Sequence, residues 1–165
     1  MKQTLPYRIL LVCAFLWWAF LFLPPLLSAS GNETIAAQLY RSYSHICHQY
    51  DSRSFHVLGH KLAVCSRCSS IYFGFFFGIL LYRLLPVYSN TKPITYLLIS
   101  LTPMLLDVGL DLFGFHSSNF FTRITTGSFF GILSALALTP VIIEAFSEIL
   151  HKQFHHSKVS YESKT

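Results

Sequence analysis

The chain has 165 residues, which fits a single domain, and its composition excludes most soluble folds. Hydrophobic residues make up 53% of the chain and charged residues only 12%, against about 25% charged in an average soluble domain. The mean hydropathy is +0.50, so lipid is the expected solvent. The net charge of +5 comes from scattered basic residues. This pattern argues against nucleic-acid binding and is typical of charges that flank membrane spans.

Four apolar segments predict four transmembrane helices, because each is long enough to cross a hydrocarbon core of about 30 Å. The segments lie at about residues 7–27, 62–85, 94–113 and 125–146. The predicted fold class is an all-α membrane protein, with an amphipathic helix in the first extramembrane loop. Residues 1–150 form the single transmembrane domain, and residues 151–165 form a polar, disordered tail.

The first apolar segment has a second interpretation as a cleaved signal peptide. It follows basic residues and ends near Ser28-Ala29-Ser30, which resembles a small-residue cleavage site. The apolar run is longer than the 7–15 residues typical of a signal peptide. A first transmembrane span is therefore favoured.

The amphipathic helix is predicted between the first two spans. Ile35, Leu39, Tyr43 and Ile46 recur at helical spacing and share one face. Such a helix lies at the membrane interface and delivers Cys47 to its end. Gly59 then permits a turn before the second span.

Two later spans carry small residues at a spacing that allows close helix packing. Gly74 and Gly78 form one such face, and Gly127 and Gly131 form the other. The second and third spans are joined by a short turn, so they are expected to be antiparallel neighbours.

The distribution of basic residues predicts the orientation. With four spans, seven of the twelve Lys and Arg residues fall on the side of the two termini, and five fall on the other side. The positive-inside rule therefore places both termini in the cytoplasm of a multi-pass protein of the cell inner or plasma membrane. The loop that carries Cys47 then faces outward.

Three cysteines form a predicted metal site. Cys65 and Cys68 lie in a C-x-x-C pair at the start of the second span, and Cys47-His48 precedes them by 17 residues. Zinc takes cysteine and histidine ligands in a tetrahedral set, so His48 is the expected fourth ligand of zinc or another transition metal. Cys13 lies within an apolar run and is interpreted as a plain hydrophobic residue.

The same thiols also fit a redox enzyme. A helix start and a neighbouring arginine, Arg67, both favour the thiolate form of a cysteine. A C-x-x-C pair at the mouth of a four-span bundle resembles the layout of membrane disulfide oxidases and vitamin K epoxide reductases. A thiol-disulfide or quinone-linked oxidoreductase is therefore the alternative function.

Charged residues are expected at the same membrane face as the cysteines. Asp107 and Asp111 lie at the end of the third span, spaced so that both face one side. Buried carboxylates in a membrane usually find a cationic partner. Asp107 and Arg67 are candidate catalytic residues. The candidate binding residues for an anionic ligand are Gln49, Arg53, Arg67, Asn119 and Arg123. Two further alternatives are a purely structural ion-pair network and an ion relay of a transporter or channel subunit.

These motifs resemble a family of small bacterial and archaeal membrane proteins classed as a domain of unknown function. The family signature reads C-H-Q…R-S-F…G…C-x-R-C…Y-x-G. The matching residues are Cys47-His48-Gln49, Arg53-Ser54-Phe55, Gly59, Cys65-Ser66-Arg67-Cys68 and Tyr72-Phe73-Gly74, followed by Asp107, Asn119, Arg123 and Thr126-Gly127. The chain departs from the family at two places. Ser69-Ser70 stands where a small residue followed by glycine is usual, and Asp111 stands where the family often has an amide side chain. The resemblance implies the architecture and the site, and it carries no reaction.

Overall fold

The computed structural model describes residues 4–84, 93–115 and 118–162, with side chains up to Ile149. Six α-helices, one short 3₁₀ helix (Asp51–Arg53) and one β-hairpin follow each other along the described chain. The helices are α1 (Thr4–Phe20), α2 (Leu23–Ala29), α3 (Glu33–Ser44), α4 (Ser66–Leu84), α5 (Pro93–Leu112) and α6 (Phe120–Glu162). The hairpin strands are β1 (Ser54–Val57) and β2 (His60–Cys65). The protein is therefore mostly helical, but the expectation of an all-α fold is wrong in this one segment.

Three helical segments in the described residues are long and apolar enough to cross a membrane. They are Thr4–Ala29, Pro93–Leu112 and Phe120–Ile149. Large apolar side chains such as Leu98 and Leu105 are exposed along them, as expected for surfaces that face lipid. α4 is shorter and less apolar, because Arg67 and Arg83 lie in its first and last turns.

The first of these segments is broken near its end. α1 stops at Phe20, and α2 begins at Leu23 with Pro24 and Pro25 in its first turn. Proline lacks an N–H donor and fits best in the first turn of a helix. The predicted span at 7–27 is therefore two consecutive helices.

The hairpin replaces the predicted start of the second span at residue 62. Val57 pairs with His60 across a two-residue turn, in which Leu58 (φ +52°) and Gly59 (φ +81°) both have positive φ. This is the backbone of a type I′ turn, whose twist matches that of antiparallel strands. Since β1 satisfies the backbone groups of β2 here, the helix begins only at Ser66.

The hairpin packs against the end of the first helical segment. Leu62, Ala63 and Val64 are buried together with Leu21 and Cys47. α3 lies beside this cluster, and the Tyr40 hydroxyl donates a hydrogen bond to the Lys61 carbonyl. The predicted helix of the first extramembrane loop is therefore present, and it ends three residues before Cys47.

α4 and α6 cross closely, with both N-termini at the end of the bundle that holds the hairpin. A Cβ atom on Gly74 would lie 2.5 Å from the Ser128 carbonyl oxygen, and one on Gly78 would lie 2.7 Å from that of Ile132. In return, a Cβ on Gly127 would lie 2.8 Å from the Arg67 carbonyl oxygen. The small-residue faces predicted from the sequence are therefore the faces that meet.

α5 packs mainly on α6, whereas the sequence predicted that the second and third spans would be the close neighbours. The predicted turn between those spans lies largely at 85–92, outside the described residues. α6 extends to Glu162, well past the predicted end at 146. The side chains of the predicted polar tail, 151–165, lie outside the described residues, so its disorder stays a prediction.

Candidate metal centre

Cys47, Cys65 and Cys68 come together from three different elements. Their three Sγ atoms all lie within 4.8 Å of one another. Cys47 follows α3, Cys65 ends β2, and Cys68 lies in the first turn of α4. The hairpin therefore closes the 17-residue gap in the sequence between Cys47 and Cys65.

Local hydrogen bonds fix the Cys47 thiol in this cluster. The Cys47 N–H donates to the Tyr43 carbonyl (3.1 Å), and the Cys65 N–H donates to Cys47 Sγ (3.2 Å). Hydrogen bonds from the Cys65 and Cys68 side chains, and weaker ones from the Cys65 and Gln49 N–H groups, hold the pKa of Cys47 far below its usual range against the opposing effect of burial. Donors of this kind stabilise a thiolate, which is the form that binds metals.

A cavity of about 210 Å³ opens beside the three sulfur atoms. It brings together most of the residues that the sequence nominated for the site. Its walls are formed by Ile46, Cys47, His48, Gln49, Tyr50, Arg53, Cys65, Arg67, Cys68 and Arg123. Asp107 and Asn119 do not line it.

His48 lies in the cavity wall but outside the sulfur cluster. Its ring stacks on Tyr50, with 6.0 Å between centroids and 2° between planes. The side chain is exposed. The structure therefore brings the three predicted cysteine ligands together and places the predicted histidine ligand beside them.

Gln49 connects the loop after α3 to the hairpin. Its side-chain amide donates to the Tyr40 carbonyl (2.8 Å), and the Lys61 ammonium donates to its backbone carbonyl (3.1 Å). Gln49 has a positive φ of 53°, a conformation that non-glycine residues adopt at a cost of about 1–2 kcal/mol. These bonds explain how the chain reverses direction directly after Cys47.

Arg67 and Asp107 form an ion pair that joins α4 to α5. Asp107 is buried, and Arg67 Nη2 also donates to Ser118 Oγ (3.1 Å). Ser118 in turn donates to Asp107 Oδ2 (3.3 Å). The carboxylate thus holds the guanidinium of the residue that directly precedes Cys68.

A second ion pair joins α5 to α6. Arg123 Nη2 lies 3.6 Å from Asp111 Oδ2, and Arg123 Nε donates to Ser118 Oγ (2.9 Å). Ser118 therefore bridges both pairs. Its sequence context, a serine in a short polar loop, gave no signal for this role.

Asn119, Arg53 and Cys13 lie at different places in the fold. Asn119 accepts a hydrogen bond from the Thr122 N–H (2.9 Å), which caps the start of α6. Arg53 is exposed, and its guanidinium lies 5.6 Å from the centre of the Tyr50 ring. Cys13 is exposed on α1, apart from the three-cysteine cluster, as its apolar surroundings predicted.

Comparison with known proteins identifies the family. Residues 47–137 match the family model described as "Predicted membrane protein (DUF2085)". The chain belongs to the DUF2085 family. The match begins at Cys47 and spans all three clustered cysteines, Asp107, Asp111 and Arg123. It confirms the membrane-protein family of unknown function that the motifs predicted.

Two archaeal relatives of this DUF2085 protein carry the description "Uncharacterized protein". One, from Methanocaldococcus jannaschii, is 34% identical over 155 residues, which cover 90% of this chain and 97% of the relative. The other, from Methanothermobacter thermautotrophicus, is 36% identical over 100 residues, which cover 61% of this chain and 89% of the relative. No solved structure matches significantly.

Proposed function

We propose that this DUF2085 protein binds a zinc-like transition-metal ion at the extracytoplasmic face of the membrane. Cys47, Cys65 and Cys68 are the proposed ligands. The convergence of their three sulfur atoms within 4.8 Å is the observation that carries this function.

The sulfur spacing suits a metal ion. Zinc–sulfur bonds of about 2.3 Å in a tetrahedral site place neighbouring sulfur atoms about 3.8 Å apart. The thiols need only small side-chain rotations to reach that spacing. A disulfide would use two of them and leave the third without a partner, whereas one metal ion uses all three.

The ion pairs give this site a rigid support. Residues around a metal site orient its ligands and tune its affinity. Arg67 lies between Cys65 and Cys68 in the sequence, and Asp107 and Ser118 hold its guanidinium. Asp107 therefore acts on the site through Arg67. Because both Asp107 and Asp111 pair with arginines, we do not propose an ion relay.

A four-span topology places the metal outside the cytoplasm. We propose that α4 also crosses the membrane, as the second of four spans in chain order. α6 covers its glycine face, and α1 lies along another face. Both termini then lie in the cytoplasm, in agreement with the distribution of basic residues. The hairpin and the metal site lie at the opposite membrane surface.

Metal analysis of the purified protein tests this function. We expect about one zinc or other transition-metal ion per chain, and we expect Cys65→Ser and Cys68→Ser to lose it. Cys13→Ser is the matched control, because it removes an exposed thiol outside the cluster, and it should keep the metal. A folded, unmutated protein without stoichiometric metal would contradict the proposal.

A thiol-disulfide oxidoreductase is the second candidate, favoured by the three thiols whose sulfur atoms lie within 4.8 Å of one another and by the lowered pKa of Cys47. In that case two of the thiols form a disulfide, and their two electrons and two protons pass to a quinone. Alkylation of the protein under oxidising and reducing conditions separates the candidates. A redox enzyme shows a reversible disulfide between two of the three cysteines, and a metal site shows protected thiols that alkylate only after chelation.

A further inference from the structure

We propose that the cavity beside the three sulfur atoms binds an oxyanion of the phosphate class. One of its oxygens takes the fourth position on the metal, and the guanidinium of Arg53 holds another. This inference rests on the proposed metal site, because the metal supplies one of the contacts.

Three cysteine ligands would leave one position of a tetrahedral ion without a protein ligand, and the same cysteines line the cavity. Metal sites with three protein ligands and an open position take water or a substrate there. His48 is the imidazole in the cavity wall, but its ring lies flat against Tyr50 and outside the sulfur cluster. An exogenous ligand can therefore reach the metal without displacing a protein ligand.

The cavity wall is cationic. The described residues that line the cavity include Arg53, Arg67 and Arg123 and no Asp or Glu. Arg67 forms an ion pair with Asp107, and Arg123 forms one with Asp111. Arg53 forms no ion pair within 4 Å among the described residues: its guanidinium lies over the Tyr50 ring, and its charge acts on Asp111 only at longer range. Its charge is therefore available to a ligand.

Arg67 has unused donor capacity next to the same cavity. Its Nη2 is bound by Asp107 and Ser118, but its Nε is buried without a hydrogen-bond acceptor among the described residues. A buried donor without a partner costs about 1–3 kcal/mol, and more for a charged group. A rotation of the Arg67 side chain that turned Nε towards the cavity would let an oxyanion accept from this donor.

The number of contacts points to a tetrahedral oxyanion. The metal, Arg53 and Arg67 together call for three acceptor oxygens, which a phosphate group offers and a carboxylate does not. Arginine also binds phosphate oxygens in a planar, paired geometry.

The phosphate group could be free or part of a lipid head group. A second, mostly apolar cavity of about 420 Å³ is lined by residues that include Trp18, Phe55 and Phe73. Its lining residues Phe55 and Ile124 lie close in sequence to Arg53 and Arg123. Free phosphate and a lipid head group offer the same phosphate oxygens, so the experiment includes a separate measurement for each source.

Cobalt substitution provides the test. The full chain in detergent and phosphate-free buffer is loaded with Co²⁺, whose visible absorption reports the fourth ligand, and is titrated with inorganic phosphate. We expect a saturable spectral change. Arg53→Gln should weaken phosphate binding about tenfold or more, since a charge-assisted hydrogen bond contributes about 1.5–3 kcal/mol. Arg53→Lys should restore part of it.

Two controls separate the contributions. Arg41→Gln removes an exposed arginine of α3 that does not line the cavity, and it should leave phosphate binding unchanged. His48→Ala should leave the cobalt spectrum recorded without phosphate unchanged, because His48 lies outside the sulfur cluster. The same cobalt protein in bilayer discs with phosphatidic acid, compared with phosphatidylcholine alone, shows whether a lipid phosphate gives the spectral change.

The outcomes distinguish the two proposals. Failure to bind cobalt removes the metal site and the oxyanion together. Cobalt binding with a spectrum that neither phosphate source changes overturns the oxyanion alone. A cobalt spectrum that changes in His48→Ala and ignores phosphate assigns the fourth position to His48, which also overturns it.

Discussion

Arg67 and Asp107 lie 40 residues apart in the sequence and form an ion pair between the first turn of α4 and the end of α5. The pair fixes the backbone around Cys68 to a helix that otherwise packs mainly on α6. The candidate site is therefore supported by residues from all three of these helices.

Removing one partner of this pair should destabilise the protein strongly. In Asp107→Asn, the guanidinium of Arg67 stays largely buried and loses its counter-charge, and such changes cost about 3–5 kcal/mol. We expect a lower midpoint of thermal unfolding in detergent. Glu144→Gln, an exposed charge on α6, should leave the midpoint unchanged.

The double variant Arg67→Met/Asp107→Leu gives the matching comparison. Replacing both members of a buried ion pair with apolar groups is often neutral, so it should be more stable than Asp107→Asn. If Asp107→Asn unfolds at the same temperature as the unmutated protein, the pair has no structural role.

The contact of α4 with α6 should depend on Gly74. Its added Cβ would lie 2.5 Å from the Ser128 carbonyl oxygen, so Gly74→Ala must push the helices apart. Overpacking of this kind costs about 1–3 kcal/mol, measured by thermal or denaturant unfolding in detergent. Gly109→Ala is the matched control, since its Cβ would meet no atom within 4 Å. Equal stability of the two variants would refute the close crossing.

The turn of the hairpin should be improved by Leu58→Asn. Leu58 is 71% exposed with a positive φ of 52°, and Asn-Gly is the preferred pair for a type I′ turn. We expect a stability gain of several tenths of a kcal/mol up to about 1 kcal/mol. Leu58→Ala keeps the backbone strain and should show no such gain. A loss of stability in Leu58→Asn would mean that the exposed leucine contributes through contacts with lipid.

The proposed topology can be tested by labelling. Ser52 is exposed beside the cavity residue Arg53, so a membrane-impermeant maleimide should label Ser52→Cys in intact cells. A fluorescent protein fused after Thr165 should fold and fluoresce, because it stays in the cytoplasm. The unmutated protein is the control for reaction at the native cysteines. Labelling only after permeabilisation would invert the orientation.

The sequence correctly predicted those features of the fold that depend on local residue patterns. The apolar runs identified the segments around α1, α5 and α6, because a membrane requires long uncharged helices. The spacing of Gly74, Gly78, Gly127 and Gly131 identified the faces that meet, because only glycine allows backbones to come so close. It did not identify the hairpin, because the apolar stretch at Leu62–Val64 runs into the apolar residues of α4 and predicts the start of the second span.

The sequence by itself determined that this protein belongs in lipid and that three cysteines, two aspartates and several arginines fall at one end of its helices, because residue type and helical spacing are local properties. Only the tertiary structure decided which of them meet. Two aspartates and three arginines allow several pairings, and packing selected Arg67 with Asp107 and Arg123 with Asp111. The hairpin brought Cys47 to Cys65 and Cys68, and His48 lies outside the sulfur cluster with its ring parallel to that of Tyr50, because such contacts depend on distances across the fold.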